Sequence, residues 1–437
     1  MNFIETKRAG LPGWITSDYG EHLGSWQRVG VPGNQVFGKL IIQENGIWLR
    51  LVDPLDEVSV SSELIDDGVI IGRIEGGADV TLVGCYEVRR RMSFSGHFAQ
   101  AFSVDHLLLG AWSNTNERIR LSSMDIEVAF LEDLYPNNAF EIEYEDKGWN
   151  LSYGRPDELR AQIANTEIVF RQWGAVNGKG DHEWTANKKA FVSLSFKEPQ
   201  LIPDVVSHYI KPIRDLASFC VGSQSHVKSV KVVTQFFGSE ENKLPLLVRD
   251  DYKPQVKHES DYGRQLIRID DLESNFQFHL SSWLSSQERY RDILSLYFGV
   301  LYGRNMYQQN RFLNLSQAAE ALGREKSGSR KIHLRKCLEH LWENAATIMT
   351  EIAAPKSLWL NSVVNSRNYF THYNPKKKEK AFHGQDLRRL EAQLSVLLRC
   401  NFLDLLGFTV EEIPVLVRRL DVYSILRDQL KNETDSA

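Results

Sequence analysis

Residues 276–302 read FQFHLSSWLSSQERYRDILSLYFGVLY, and at this stretch the chain changes from strand-like to helical patterning. The apolar residues recur every three or four positions, which predicts a helix that packs against neighbours on two sides. We therefore expect helices downstream of this stretch and a β-rich region upstream. The apolar face of the predicted helix contains Trp283, Leu284, Tyr290, Ile293, Leu294, Tyr297, Phe298 and Leu301.

Further helical segments follow this stretch toward the end of the chain. The apolar spacing predicts helices over residues 312–322, 332–352, 356–369 and 385–406. Gly323 and Gly407 come directly after the first and the last of these segments, where glycine commonly ends a helix. Five or six helices joined by short loops predict an all-α, up-and-down bundle over residues 273–437.

Upstream, short alternating segments separated by turn residues dominate the sequence. Asn45-Gly46 lies between segments 37–43 and 47–52, and this dipeptide supplies the positive φ angles of a tight hairpin turn. The same pattern predicts hairpins over residues 69–86 and 140–153. The fold class is therefore α+β, with an antiparallel β-rich domain that is either a sandwich or a barrel.

Other segments complete the first domain. Residues 203–220 have helical spacing, and residues 227–237 return to a strand-like pattern. Residues 241–272 are polar and contain Pro245 and Pro254, so we interpret them as a linker. The predicted domains are thus 1–240 and 273–437.

The 437-residue chain carries a net charge of −5, which argues against a protein that coats nucleic acid. Its hydrophobic share of 42% is that of an ordinary globular protein. Residues 301–400 contain 17 lysines and arginines against 8 acidic residues, a balance of +9 that leaves −14 for the other residues. One basic segment therefore lies within an acidic chain.

The four cysteines (Cys85, Cys220, Cys337 and Cys400) lie far apart in the sequence and form no C-x-x-C pair. This pattern favours core thiols in a reducing compartment over disulfides or a zinc site. The first residues, MNFIETKRAG, lack the apolar core of a signal peptide, and the longest apolar run is too short to cross a bilayer. We expect a cytoplasmic protein with no membrane partner.

Residues 366–375, SRNYFTHYNP, lie in the basic segment and contain its best candidates for chemistry. Arg367 is a permanent cation and His372 exchanges a proton near neutral pH, so the pair offers charge stabilisation and acid/base catalysis without a metal ion. The aromatic and β-branched residues between them are poor helix formers, and Pro375 disfavours helix before it. A helix is therefore predicted to end within the motif.

The spacing from Arg367 to His372 is not distinctive by itself. Arg335 and His340 have the same spacing inside a predicted amphipathic helix, where charged residues usually form a solvated face. On a regular helix Arg367 and His372 would lie about 140° apart. They would converge only if the helix breaks or if a second copy of the chain supplies the missing partner.

Residues 366–372 match the R-N-x-x-x-H signature of HEPN-domain ribonucleases. The surrounding sequence resembles the ApeA-like subgroup of bacterial anti-phage abortive-infection proteins. In the bundle the resemblance extends to residues 311–315, 319–321 and 403–408. The N-terminal half is similar to the ApeA N-terminal domain at residues 31–33, 36–40, 71–72 and 108–111.

This resemblance implies a metal-independent endoribonuclease, without cofactor, in which two bundles bring two motifs to one composite site. The expected assembly is a homodimer or a larger even-numbered oligomer. RNA supplies the 2′-OH nucleophile, so the protein must supply a base, a cation and an acid. We assign His372 as the general acid/base, Arg367 as the cation on the phosphate, and Asn368 as a group that orients one of them or binds the phosphate.

Several further residues are candidates for support or for RNA contact. Glu320 is polar on an otherwise apolar helical segment and would pair with the motif arginine; the alternative is an exposed surface glutamate. The RNA candidates are two aromatic residues that would stack bases and three lysines that would hold the backbone, against the alternatives of core aromatics and a solvated loop. They are Tyr369, Tyr373, Lys376, Lys377 and Lys378.

The resemblance also implies anti-phage defence, with the N-terminal domain as a sensor or regulator and a phage-derived trigger as its candidate ligand. Transfer RNA is a candidate substrate, although no residue specifies it. The alternative is a catalytically silent bundle that binds RNA or a partner, beside a ligand-binding β-sandwich. The sequence contains no evident metal-ligand cluster, nucleophile elbow or dinucleotide-binding fingerprint.

Overall fold

A computed structural model describes most of the chain, and the structural statements below refer to the described residues. These are residues 20–29, 34–43, 46–55, 68–92, 98–112, 119–135, 140–146, 148–179, 183–249, 264–303, 305–329, 331–373 and 375–435. Some residues singled out from the sequence lie outside these ranges. They are Val31, Pro32, Gly33, Glu44, Asn45, Lys147, Pro254 and Asn374.

Six antiparallel strands form a closed barrel near the start of the described chain. They are β1 (Gly20–Arg28), β2 (Val36–Gln43), β3 (Gly46–Leu51), β4 (Gly68–Ile74), β5 (Asp79–Met92) and β6 (Phe98–Leu109). The strands are bonded in the order β6-β3-β2-β1-β4-β5, and β5 pairs again with β6 to close the ring. Trp26, Leu40 and Leu49 are fully buried in its interior. Of the two architectures left open by the sequence, the structure has the barrel.

The sheet continues beyond the barrel through further strands. They are β7 (Arg120–Val128), β8 (Phe140–Glu145), β9 (Gly148–Tyr153), β10 (Leu159–Ile163), β11 (Thr166–Lys179), β12 (Glu183–Leu201), β13 (Val227–Thr234) and β14 (Leu244–Val248). β14 bonds to β6, and the order continues as β13, β7, β12, β11 and β10. β8 and β9 form a separate two-stranded hairpin. The β-rich domain is thus a barrel extended by further strands. We call this extension, formed by β14, β13, β7, β12, β11 and β10, the second sheet.

The three predicted hairpins are confirmed as the antiparallel pairs β2–β3, β4–β5 and β8–β9. The segment 241–272, interpreted from the sequence as a linker, contains β14. Leu244 and Leu246 of this strand are buried. The polar neighbours and Pro245 concealed a strand that pairs with β13 over only two residues and with β6 over three.

A helical segment packs on the second sheet where the sequence predicts one. It consists of α1 (Ile202–Val205), a π-helical turn (Val206–Ile210) and α2 (Lys211–Val221). α2 ends at Gly222, whose φ of 70° is the left-handed conformation that glycine adopts readily. Phe219 of α2 is fully buried and stacks on Trp283 with ring centroids 5.8 Å apart. This segment joins the second sheet to the helices that follow.

The rest of the described chain is helical, as predicted, and contains more than the five or six helices expected. Two predicted long helices are each divided, at Tyr290 and at Ala345, although neither break contains glycine or proline. The helices are α3 (Ile269–Glu273), α4 (Phe276–Arg289), α5 (Arg291–Tyr302), α6 (Gln308–Ser327), α7 (Leu334–Asn344), α8 (Ala346–Ile352), α9 (Lys356–His372), α10 (Gly384–Leu406), α11 (Glu412–Val417) and α12 (Asp421–Asp435).

Of the two glycines predicted to end a helix, only one does so. Gly407 ends α10 with a φ of 91°, as expected. Gly323 lies inside α6, which instead ends at Gly328. A Cβ at position 323 would lie 2.5 Å from the Cβ of Cys337, so glycine is required here because α6 and α7 approach closely. The prediction that Gly323 ends a helix is therefore wrong, and the close approach of α6 and α7 explains the glycine at this position.

The apolar core does not follow the predicted division of the chain. One buried cluster fills the barrel, whereas a second cluster runs from the second sheet through α2 into the helical bundle. Phe170 of β11 contacts Phe276 of α4 at 5.1 Å between ring centroids. The second sheet and the bundle therefore share one core, and this core holds α6, α9 and α10 in position.

Candidate active site

The motif lies on α9, and the helix continues through it. α9 reaches His372, beyond the predicted end at residue 369. Tyr373 then ends the helix in the left-handed conformation with a φ of 47°, and its N–H donates to the carbonyl of Tyr369 at 2.6 Å. The buried Phe370 explains the difference, since burial of an apolar side chain outweighs a weak local preference against helix.

Because α9 is regular over the motif, Arg367 and His372 lie on different faces of the helix. His372 is exposed at the last turn, whereas Arg367 is half-buried between α9 and α6. Among the described residues no contact joins the two side chains. Of the two routes to convergence predicted from the sequence, a break in the helix is therefore wrong.

Glu320 of α6 lies between two arginines. Its Oε2 accepts a hydrogen bond from Arg367 Nη2 at 2.9 Å, and its Oε1 accepts one from Arg324 Nη2 at 2.5 Å. Glu320 is only 8% exposed, so it is not the surface glutamate that the alternative interpretation described. One carboxylate thus fixes the position of the motif arginine, and the three side chains together keep a net positive charge.

Further contacts restrain the arginine from its own helix. Asn368 Oδ1 accepts a hydrogen bond from Arg367 Nη1 at 3.3 Å. The hydroxyl of Thr371 donates to the Arg367 carbonyl at 2.8 Å. Asn368 therefore contacts the arginine, one of the two arrangements expected for it, and the guanidinium is held from both sides.

The motif helix is anchored by its neighbours. Ser366 is fully buried, and its Oγ accepts a hydrogen bond from the Phe382 N–H at 2.9 Å. The His383 ring packs edge-on against Tyr369 and Phe370, with centroids 5.4 and 5.5 Å away. These contacts join α9 to the residues at the start of α10. The chain therefore folds back after α9 and packs against the motif helix.

The structure places the predicted RNA-contacting residues around the end of α9. Tyr373 is 64% exposed, whereas Tyr369 is half-buried and packs against Tyr373 with ring centroids 5.7 Å apart. The three lysines lie in a single 3₁₀ turn over Pro375–Lys380. Lys376 and Lys378 are exposed and Lys377 is partly so. The exposed tyrosine, His372 and the lysines therefore lie close together in the sequence at a basic, largely solvent-exposed part of the chain.

Two residues of this site were missed by the sequence reasoning. Arg324 is four positions after Glu320, the spacing at which oppositely charged side chains meet on a helix, so this signal was present. His383 gave no such signal, because its proximity to Tyr369 depends on how the chain folds back between α9 and α10.

The described residues offer little evidence for a metal site or for a cysteine nucleophile. No three histidine, cysteine or carboxylate side chains gather there as a metal-binding group. All four cysteines are buried and free, and burial raises the pKa of the Cys400 thiol to about 12. Such a thiol is not a nucleophile at neutral pH. The α6–α9 site is thus the strongest candidate for catalysis.

Comparisons with known proteins match two parts of the chain to family models. The family model described as ApeA N-terminal domain 1 matches residues 21–283, more than half of the chain. The model described as Apea-like HEPN matches residues 304–412, which include Glu320, Arg367 and His372. No curated protein and no solved structure matches the chain. In the part of the chain that the structure describes, no helix is both long and apolar enough to cross a membrane.

Proposed function

Because this chain belongs to the ApeA family and has a C-terminal HEPN domain, we propose that it is an anti-phage endoribonuclease that acts by abortive infection. The observation that carries the proposal is the arrangement of α9. A half-buried arginine is held by a buried carboxylate, and an exposed histidine lies one and a half turns further on beside a basic surface. A cation and a proton-transfer group near the end of one helix suit the chemistry of RNA.

The reaction needs no metal ion in this proposal. His372 removes the proton of the RNA 2′-OH, which attacks the adjacent phosphorus, and a histidine then protonates the departing 5′-oxygen. Arg367 stabilises the negative charge that develops on the phosphate oxygens. The products carry a 2′,3′-cyclic phosphate and a 5′-OH. DNA is not cut by this route because it lacks the 2′-OH.

The active unit in this proposal is a homodimer or a larger even-numbered oligomer. The continuous α9 directs Arg367 and His372 to different faces, so a composite site needs a second bundle. Twofold pairing brings the same patch of each copy together and satisfies this requirement. Tyr369, Tyr373 and the lysines at 376–378 would then contact RNA, with transfer RNA as the first substrate to test.

The N-terminal domain is the proposed regulator. A nuclease of this kind has to be inactive in an uninfected cytoplasm, and a phage-derived molecule is the proposed trigger. The core shared by the second sheet and the bundle supports this, because packed side chains connect the sheet to α6 and α9.

The test compares the wild type with Arg367→Ala and His372→Ala in cells with and without phage. A matched control is the double substitution Arg335→Ala with His340→Ala, since this pair has the same spacing on α7. We expect loss of protection and of RNA cleavage in the motif variants only. Unchanged protection and RNA in both motif variants would leave the silent RNA-binding module as the better interpretation.

Two measurements then test the mechanism on purified protein. Mapping of the 3′-ends should find cyclic phosphates, and cleavage should persist in EDTA. Loss of cleavage in EDTA that Mg²⁺ restores would contradict the metal-independent reaction while leaving the nuclease assignment in place.

A further inference from the structure

The β8–β9 hairpin forms a sheet of its own within the β-rich domain. Among the described strands, β8 bonds only to β9 and β9 only to β8. The hairpin is seated on β11 through the rings of Phe140 and Tyr153. A Cβ at Gly174 of β11 would lie 2.7 Å from the Phe140 ring and 2.6 Å from the Tyr153 ring, so this close contact requires glycine. The hairpin is thus attached at its base, where β8 begins and β9 ends.

Beyond this base, the apolar face of the hairpin is exposed to solvent. Ile142 is 52% exposed, Tyr144 82% and Trp149 53%. Residues directly opposite each other on paired strands share a face, so these side chains lie on the same face as the two rings at the base. Apolar side chains that are exposed together mark interaction surfaces more often than isolated ones do. The cross-strand pairs of this face are Phe140 with Tyr153, Ile142 with Leu151, and Tyr144 with Trp149.

The opposite face of β8 is acidic. Glu141 and Glu143 alternate with the apolar residues of the strand, and both are exposed. Their cross-strand partners, Ser152 and Asn150, carry no charge. The described residues place no lysine or arginine within ion-pair distance of either carboxylate. β8 therefore has an apolar row on one face and an acidic row without counter-charges on the other.

The outer edge of β8 is a free strand edge. A strand that is bonded on one side only directs its remaining backbone N–H and C=O groups outward, where another strand can pair with them. Proteins usually protect such an edge with proline, a bulge, charged side chains or a covering element. The β8 sequence, FEIEYE, contains no proline, and its register with β9 has no bulge. Negative charge is thus the protection that the β8 sequence itself provides, and it repels acidic strands but not basic ones.

From these features we propose that β8 binds an extended segment of a partner protein in which lysine or arginine alternates with apolar residues. In this mode of recognition main-chain hydrogen bonds give affinity and alternate side chains give specificity. The apolar side chains of the segment lie beside Ile142 and Tyr144, and its cations lie beside Glu141 and Glu143. A second copy of β8 is disfavoured at this edge, because glutamates would lie beside glutamates.

The position of the hairpin relates this surface to the helical bundle. β11, on which the hairpin is seated, also contains Phe170, and Phe170 contacts Phe276 of α4. A partner bound at β8 therefore lies on the sheet that shares its apolar core with the bundle. The proposed interaction itself does not depend on RNA cleavage.

The first test measures binding of labelled peptides to the full chain by fluorescence anisotropy. The probe is a peptide of about eight residues that alternates lysine and valine, which is long enough to span β8. One control peptide has glutamate in place of lysine, and the other has the lysines and valines of the probe in two separate blocks. We expect the probe to bind at least about tenfold more tightly than either control. Absence of probe binding, or equal affinity for either control, would overturn the proposal.

Charge reversal then locates the site. In Glu141→Lys with Glu143→Lys, the glutamate–valine peptide should bind about tenfold more tightly than the lysine–valine peptide, because the charge of the strand is inverted. The matched control is Glu198→Lys with Glu241→Lys, two exposed glutamates outside the hairpin, which should keep the wild-type preference. An unchanged preference in the hairpin variant would place peptide binding elsewhere and refute the assignment.

Loss of the apolar row gives a second, independent readout. Ile142→Ser with Tyr144→Ser should weaken probe binding about tenfold or more, since the segment loses its apolar neighbours. Sedimentation should find the same mass for this variant as for the wild type. Dissociation of a wild-type oligomer by these substitutions would assign the face to a second copy of the chain and contradict the proposal. Because these readouts are peptide binding and mass, their failure leaves the nuclease proposal standing.

Discussion

At Glu320 a single carboxylate lies between the guanidinium groups of Arg324 and Arg367. The bond to Arg367 joins α6 to α9, whereas the bond to Arg324 stays within α6. The bond to Arg367 therefore positions the motif, whereas the bond to Arg324 supports only α6 itself. Glu320 acts on the reaction, in our proposal, as a positioning residue for Arg367.

Glu320→Gln should lower the turnover number for RNA cleavage by about 10- to 100-fold, because a displaced catalytic group costs this much. Arg324→Ala should change it by less than about threefold, since Arg367 keeps its carboxylate. KM should change little in both variants, and this is measured by steady-state cleavage of a fluorescent RNA. Equal losses in both variants, in proportion to their melting temperatures, would indicate a purely structural role.

Tyr373 combines an unfavourable backbone conformation with an exposed ring. Its φ of 47° is costly for a tyrosine, and glycine adopts it freely. Tyr373→Gly should therefore raise the free energy of unfolding by up to about 1 kcal/mol, measured in urea, while weakening RNA binding by about 1–3 kcal/mol. RNA affinity that stays constant would remove Tyr373 from the proposed RNA surface, and Tyr307→Gly, at another exposed tyrosine, is the control.

At the residue scale, the sequence was sufficient where chemistry and local spacing carry the information. Glu320 was selected because a polar side chain is unexpected on an apolar helical segment, and the structure places it against Arg367. His383 was not found, because its ring reaches Tyr369 only through the fold of the connection after α9. Spacing in sequence contains no information about that approach.

Among the helices, two glycines at interior positions have opposite surroundings. Gly323 of α6 faces Cys337 of α7, and an added Cβ would lie 2.5 Å from the cysteine Cβ and 2.7 Å from its Cα. Gly299 of α5 faces open space. The same substitution therefore has opposite consequences at the two positions.

Gly323→Ala should lower the free energy of unfolding by about 1–3 kcal/mol, the usual effect of an overpacked contact. Gly299→Ala should raise it by about 0.5–1 kcal/mol through better helix propensity. Urea unfolding of the two variants in parallel tests both signs. A stabilised Gly323→Ala would show that α6 and α7 separate more easily than their contact indicates.

The elements themselves were predictable where a periodic pattern extends over many residues, as in α10 and in the β2–β3 hairpin. The residues at which the helices end were not predictable from the sequence. The breaks at Tyr290 and Ala345 contain no helix-breaking residue, and the extension of α9 to His372 follows from burial of Phe370. Tertiary packing decides these boundaries, and a single sequence gives no access to it.

In the whole molecule, the second sheet and the bundle share one core. The Trp283 indole N–H donates to the Pro212 carbonyl at 2.8 Å, and Trp283 also stacks on Phe219. A fragment of residues 273–437 would expose this side of α4 to water. The predicted boundary near residue 240 therefore cuts through a continuous apolar interior.

That fragment should be less stable than the full chain and should bind a dye specific for exposed apolar surface. Dye fluorescence and cooperative melting, measured against the full chain, test this expectation. A fragment of residues 119–437 keeps most of the shared core, which also includes Leu108 and Ala111, and is the matched comparison. Equal stability of the two fragments would mean that the sheet contributes little to the bundle.

The unbroken α9 also has a consequence for genetics. If each catalytic pair takes its arginine from one copy and its histidine from the other, an Arg367→Ala chain and a His372→Ala chain are each inactive alone but complement each other when paired. Differently tagged heterodimers should recover up to about half of the wild-type cleavage, since one of the two reciprocal pairs is intact. Inactive heterodimers would contradict reciprocal exchange. Because α9 keeps Arg367 and His372 of one copy apart, two alleles that are each inactive are predicted to restore activity when they are expressed together.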